Sequence, residues 1–173
     1  RPSNEIFYDG NDVQTGTQAN DHMFKFKGYK LTSNLTYGFE NGDELRLNGL
    51  FEPNTFRNHE TRIETGDDPD SVIWDRDQDN GKWEVGGDYT INLGFLGKFK
   101  TLFVVNENSE DIEVTRVRDF FDPAFTYTNE FTDSKRSEKI FRSSTTINIF
   151  GGQSIEVGGE AAINTFDKTF QSY

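Results

Sequence analysis

Six segments of the chain alternate apolar and polar side chains along the sequence. In the first segment, Tyr29, Leu35 and Phe39 occupy odd positions, whereas Lys30 and Glu40 occupy even ones. Because successive side chains of a β-strand point to opposite faces, each segment predicts a strand with one apolar and one polar face. The pattern predicts an all-β protein, an antiparallel up-and-down meander of about six long strands.

The predicted connections are alternately short and long. The short ones are Asn41-Gly42-Asp43, Phe95-Leu96-Gly97 and Gly151-Gly152-Gln153, which suit tight hairpins because glycine reaches positive φ easily. We predict a single unit over residues 1–173, with an irregular segment at 1–21, strands at about 22–40, 44–56, 81–94, 98–110, 136–150 and 154–168, and long loops at about 57–80 and 111–135.

The short connections also predict which residues pair across each hairpin. Three-residue loops would place Phe39 opposite Leu45, Leu93 opposite Phe99, and Ile149 opposite Ile155. Each of these pairs then shares one face of the sheet, so the apolar faces of neighbouring strands become continuous.

This continuous apolar face is rich in aromatic residues, whereas the opposite face is charged. Such a sheet suits lipid on one side and water on the other, and short turns at one end with long loops at the other are typical of outer-membrane barrels. We therefore predict part of a transmembrane β-barrel. The side chains expected to face lipid are Tyr29, Leu31, Leu35, Tyr37, Phe39, Leu45, Leu47, Phe51, Trp83, Val85, Tyr89, Ile91, Leu93, Phe99, Phe103, Ile147, Ile149, Ile155, Val157 and Ile163.

Composition narrows the functional classes. The formal net charge is -12, which argues against nucleic-acid binding because phosphates require a basic surface. The hydrophobic content is only 32%, low for a soluble globular domain. The alternative that stays open is a soluble β-barrel or sandwich that binds a hydrophobic or carbohydrate ligand, since its core would bury the same apolar positions.

The stretches LTSNLTYGFENGDELRLNGLFEPN (31–54) and INIFGGQSIEVGGEAAINTFD (147–167) resemble hairpins of TonB-dependent outer-membrane receptors. In that family about 22 strands surround an N-terminal plug. Family members use the TonB complex to import siderophores, cobalamin or carbohydrates. The resemblance implies a location in the outer membrane of a Gram-negative bacterium.

The resemblance also implies the partners of the chain. They are membrane lipid, the rest of the barrel, and the plug domain, with the TonB complex reached only through the plug. Neither a plug nor a TonB box is recognisable in the sequence, and the start Arg1-Pro2-Ser3-Asn4 reads as mid-sequence. We therefore expect an interior barrel piece, with a closed small barrel as the alternative.

The first predicted long loop contains a candidate calcium site. Asp75, Asp77 and Asp79 stand at alternate positions, as do the first three carboxylate ligands of a calcium-binding loop. Gly81 comes one residue later than that pattern requires. The alternative is a solvated acidic loop. The sequence therefore predicts either no cofactor or Ca²⁺.

The second predicted long loop combines aromatic and cationic residues. Aromatic rings beside cations can contact a sugar or an anionic chelate, whereas the alternative is internal packing of the loop. The candidate ligand contacts are Phe120, Phe121, Phe125, Tyr127, Arg116 and Arg118.

Nothing in the sequence indicates an enzyme. The chain has no cysteine and two histidines, His22 and His59, so a catalytic zinc site is not expected. No nucleophile-elbow motif and no phosphate-binding glycine pattern is present.

Overall fold

The computed structural model describes residues 2–66, 69–119 and 125–173. These residues form one antiparallel sheet of nine strands, so the all-β antiparallel prediction is confirmed. No helix among the described residues is long and apolar enough to span a bilayer. The strands are β1 (Ser3–Tyr8), β2 (Gln14–Gly28), β3 (Leu31–Gly38), β4 (Glu44–Phe51), β5 (Asn54–Gly66), β6 (Asp70–Asn92), β7 (Gly97–Asp119), β8 (Phe125–Asn148) and β9 (Ser154–Ser172), with short 3₁₀ helices at Gly94–Leu96 and Phe150–Gly152.

The strands follow one another across the sheet as a meander. The order is β1-β2-β5-β6-β7-β8-β9, while β3 pairs with β4 and β4 also pairs with β6. The β2–β5 and β3–β4 pairings share one register, because Gly28 pairs with Asn54 and Leu31 with Phe51. Thus β3 continues the line of β2, and β5 continues the line of β4, so each pair acts as one long interrupted strand. Pro53, which lacks a backbone N–H, lies at the interruption between β4 and β5.

The predicted long loops and the predicted irregular segment are wrong. Residues 57–66 and 70–80 belong to β5 and β6, and residues 111–119 and 125–135 belong to β7 and β8. Residues 3–8 form β1, which pairs with the first half of β2. In these segments both faces are largely polar, so the apolar alternation that identifies a half-buried strand is missing. Backbone pairing with a neighbouring strand forms the ladder regardless of side-chain polarity.

The three predicted hairpins exist, but each turn lies one residue earlier than predicted. Backbone N–H groups of Phe39, Leu93 and Ile149 donate to the carbonyls of Asp43, Gly97 and Gln153, each at 2.9 Å. The loops are therefore 40–42, 94–96 and 150–152. The observed partners are Tyr37 with Leu45, Ile91 with Phe99, and Ile147 with Ile155. The predicted pairs were wrong: each observed partner lies two residues earlier in the chain than the predicted one. A shift of two residues keeps every side chain on the same face of the sheet.

All the residues predicted to face lipid lie on one face of the sheet. One row across the sheet joins Leu47, Gly87, Phe103, Phe141 and Ala161 through direct cross-strand pairs. We call this surface the apolar band; it comprises the odd-numbered residues of 29–39, 45–51, 83–93, 99–105, 141–149 and 155–163. The even-numbered residues of the same strands form the polar face.

The apolar band is not covered by a second layer in the described part of the chain. Leu35 is 57% exposed, Phe141 56% and Val157 65%, and none of the described apolar side chains is buried. The sheet is also open, because β1 and β9 do not pair with each other among the described residues. The described residues therefore form a single-layer sheet with two free edges, rather than a sandwich with a core.

The Asp43 side chain links the β3–β4 hairpin to β6. Its carboxylate accepts hydrogen bonds from the Tyr89 hydroxyl at 2.9 Å and from the Asn92 backbone N–H at 2.8 Å. The Asn41 side chain donates a third bond at 2.9 Å. The Asn92 bond is the main cause of the lowered pKa of Asp43. These bonds fix the register between β4 and β6 at the turn end of the apolar band.

Candidate functional site

A concavity of about 390 Å³ opens on the polar face, beyond the apolar band. We call it the arginine pocket; its lining residues are Glu60, Arg62, Val72, Trp74, Arg116 and Arg118. All six have even numbers. Even-numbered residues pair with each other across β5, β6 and β7, so their side chains share one face of the sheet.

Two rows of cross-strand neighbours build the arginine pocket. In one row, Trp74 of β6 lies between Glu60 of β5 and Arg116 of β7. In the next row, Val72 lies between Arg62 and Arg118. Neighbouring strands are about 4.8 Å apart, so the three arginines lie within two adjacent rows of the sheet, together with Val72 and Trp74.

Asp70 anchors two of these arginines. Arg118 donates from Nε at 3.1 Å and from Nη2 at 2.9 Å to Oδ2 of Asp70, and Arg62 donates from Nη2 to the same oxygen at 3.1 Å. Asp70 is only 6% exposed. Burial raises the pKa of its carboxyl, but the bonds from Arg118 and Arg62 outweigh burial and leave that pKa below its usual value. Asp70 therefore stays ionised and orients both guanidinium groups.

Asp70→Ala is expected to lower the free energy of unfolding by about 1 to 2 kcal/mol at neutral pH, a value reduced by the partial exposure of both arginines. The folded-state pKa lies below the unfolded value of about 3.9, so this contribution is complete above that value and declines as the pH falls through the folded-state pKa. Urea unfolding at several pH values measures it.

The matched control for this experiment is Glu64→Ala. Glu64 is half-buried and lies directly opposite Asp70 across the β5–β6 pair, so the control removes a carboxylate from the same place. We expect a change below about 0.5 kcal/mol, because Glu64, unlike Asp70, forms no ion pair with any other described residue. Equal losses for the two variants would contradict a specific role for Asp70.

The candidate calcium ligands do not form a wrapped loop. Asp75, Asp77 and Asp79 lie on extended β6, on the face of the apolar band but beyond it, with about 7 Å between alternate residues. The prediction that they lie in a loop is therefore wrong. Asp77 and Asp79 form ion pairs with Arg57 at 3.2 and 3.1 Å, and Asp75 contacts Nδ1 of His59 at 2.5 Å.

Neighbouring strands bring further acids beside this row. Asp79, Asp111 and Asp133 are direct cross-strand neighbours on β6, β7 and β8. Burial, followed by repulsion from Asp133 and Asp79, raises the pKa of Asp111. Within the described ranges, no group of three or more His, Asp or Glu side chains is placed to hold a metal ion.

The predicted aromatic and cationic patch is divided by the sheet. Arg116 and Arg118 lie on the polar face, whereas Tyr127, which pairs with Val117, lies on the opposite face and is 55% exposed. The predicted ligand contacts Phe120 and Phe121 lie outside the described residues. Phe125 begins β8, where only its backbone is described. Because these residues lie in strands and not in a loop, those with odd and even numbers point to opposite faces of the sheet.

Sequence reasoning missed Trp74, which the structure places beside Arg116. A usable signal existed in the turn at 94–96. Extending the pairing of Ile91 with Phe99 along both strands leads directly to the pairing of Trp74 with Arg116. The step requires strands that continue far past the apolar segments, and the loop prediction excluded it.

Comparison with known proteins adds no assignment. No protein-family model matches the chain, and no curated protein matches it either.

Proposed function

We propose that this chain forms part of the wall of a bacterial outer-membrane barrel of the TonB-dependent receptor type. The receptor as a whole imports a bulky nutrient such as a siderophore, cobalamin or a carbohydrate, and this chain contributes to its wall and has no catalytic function. The observation that carries the proposal is the exposed apolar band on a single-layer sheet. Water would make this surface costly, whereas lipid acyl chains would cover it.

The ends of the apolar band support a membrane setting. At the turn end, the rings of Tyr37 and Phe39 lie 4.8 Å apart and those of Phe39 and Tyr89 lie 5.9 Å apart, both edge to face. At the other end, Tyr29 and Phe51 lie 6.0 Å apart. Aromatic girdles at both interfaces are typical of transmembrane barrels.

The opposite face of the same strands suits water. Lys100 pairs with Asp88 at 3.2 Å, and Arg142 pairs with Glu160 at 2.5 Å, both directly behind the apolar band. Charges of this kind are destabilising on a lipid face but ordinary in a wet lumen. The polar face also exposes Phe24, Phe26, Phe166 and Phe170, close to the two ends of the sheet.

The strands are far longer than a bilayer requires. β6 and β7 each contain 23 residues, so each extends for about 75 Å, against about 30 Å of hydrocarbon. Beyond Phe51 and Trp83 both faces become polar, which supports a wall that rises outside the membrane. A soluble sandwich would need a second layer over the apolar band, and the described residues supply none.

Alternating spin-label accessibility tests the proposal. The chain has no cysteine, so single cysteines at Leu102, Phe103, Val104, Val105 and Glu113 can carry a nitroxide in the intact protein in lipid vesicles. We expect dissolved oxygen to reach positions 103 and 105 preferentially, and a water-soluble nickel chelate to reach 102, 104 and 113. Similar accessibility at 103 and 104 would refute the lipid-facing band.

A further inference from the structure

We infer that the arginine pocket binds an oxyanion group, a carboxylate or phosphate, on the molecule that the barrel admits. Its role in uptake rests on the proposed function, whereas the binding itself does not. The pocket lies beyond the apolar band on the polar face, where an entering molecule would meet it before the membrane-spanning part.

The charge balance of the pocket favours an anion. Three arginines line or border it, against the two acids Glu60 and Asp70. The carboxylate of Asp70 is shared by Arg62 and Arg118. This concentration of arginines occurs in a chain whose formal net charge is -12.

Arg116 has a free charge of its own. It forms no ion pair with any described residue, and it is exposed beside Trp74. Guanidinium groups present paired N–H donors that match carboxylate and phosphate oxygens. Arg116 is therefore the residue most able to gain a partner from an incoming ligand without losing one.

Unsatisfied donors provide an independent indication. Nε1 of Trp74 and the Nε atoms of Arg62 and Arg76 are buried without a hydrogen-bond partner among the described residues. Arg76 is the next residue after Trp74 on the same face of β6, and its Nη2 donates to the neutral side chain of Gln78 at 2.8 Å. Buried donors normally have partners, so three orphaned N–H groups in one patch indicate a missing acceptor. An oxyanion with small side-chain adjustments supplies it.

The pocket also has a place for the carbon skeleton. Trp74 and Val72 supply the apolar part of the lining, flanked by the arginines and Glu60. Glu60, the cross-strand neighbour of Trp74, repels a second negative charge but accepts a hydrogen bond from a hydroxyl group. The arrangement fits an anionic group attached to an apolar or hydroxylated body, rather than a bare ion held on all sides.

Titration calorimetry of the intact protein in detergent tests this inference, with citrate and inorganic phosphate as separate probes. We expect at least one probe to bind, with an affinity that falls as the NaCl concentration rises. Arg116→Gln should weaken that binding at least about tenfold, the loss of one charge-assisted hydrogen bond. Preference for citrate or for phosphate identifies the carboxylate or the phosphate as the natural group.

The matched control is Lys168→Gln, which removes a cation from the same face, on β9, outside the pocket. It should leave the affinity unchanged. Arg76→Gln serves as a second variant with the same expected direction. Absence of binding by both probes, or equal affinity in wild type and Arg116→Gln, would overturn the inference. The spin-label result at 103 and 104 is independent, so failure of the proposed function is recognised separately.

Discussion

Phe103→Arg is expected to destabilise the protein in lipid vesicles by about 2 to 4 kcal/mol, the cost of a cation near the bilayer midplane. Phe103 lies in the central row of the apolar band, between Gly87 on β6 and Phe141 on β8. Neither neighbour offers a negative charge. Phe103 is 41% exposed, so the substituted guanidinium would not enter a packed core and, on the proposed function, would lie at the lipid surface. Urea unfolding in vesicles measures the loss.

Val104→Arg is the matched control for this prediction. Val104 is the next residue on β7, it pairs with Gly86 and Ile140, and it lies on the polar face. On the proposed function a cation there would meet water, so we expect a change below about 1 kcal/mol. Equal destabilisation by the two substitutions would mean that both faces are dry, and the membrane assignment of the band would be wrong.

The apolar band could be predicted from sequence because its signal is local. Leu47 and Phe103 are 56 positions apart, yet each follows its own two-residue alternation, and parity is preserved through every three-residue loop. An error of one residue in each turn shifted the partners without moving any side chain to the other face. Face assignment is therefore more robust than register in this sheet.

The polar extensions could not be predicted in the same way. Around Arg57 and Asp77, most side chains on both faces are polar, so no sustained alternation marks a strand. What defines these strands is the pairing with neighbours already aligned by the apolar segments. Ion pairs such as that of Arg57 with Asp79, at 3.1 Å, then form across the aligned strands.

The arginine pocket depends on those same extensions. The sequence predicts Arg116 and Arg118 as ligand contacts because they lie near aromatic residues along the chain, but Trp74 belongs to a segment 42 positions before Arg116. Only the continuous β6–β7 register makes Trp74 and Arg116 neighbours. A candidate site formed between polar strands therefore needs the tertiary pairing, whereas the apolar surface needs only the sequence.

Gly97→Ala is expected to destabilise the protein by at least about 3 kcal/mol, because two costs coincide at this position. Its φ of 122° and ψ of -140° are accessible essentially to glycine alone. A Cβ there would lie 1.9 Å from the Thr146 carbonyl oxygen, and that oxygen belongs to the backbone of β8. Since Gly97 also closes the β6–β7 turn and pairs with Ile147, relief of the clash would displace β7 from β8.

Gly94→Ala in the same turn separates these two costs. Gly94 has a φ of 65°, and a Cβ there meets no atom within 4 Å, so only the left-handed backbone conformation is penalised. We expect a loss of about 1 to 2 kcal/mol. Urea unfolding of wild type and both variants, refolded in the same detergent, gives the comparison; a Gly97→Ala variant that stays largely unfolded agrees with the expectation. If Gly97→Ala lost no more stability than Gly94→Ala, the close approach of Gly97 to β8 would be refuted, and with it the register that carries the polar extensions to Trp74 and Arg116.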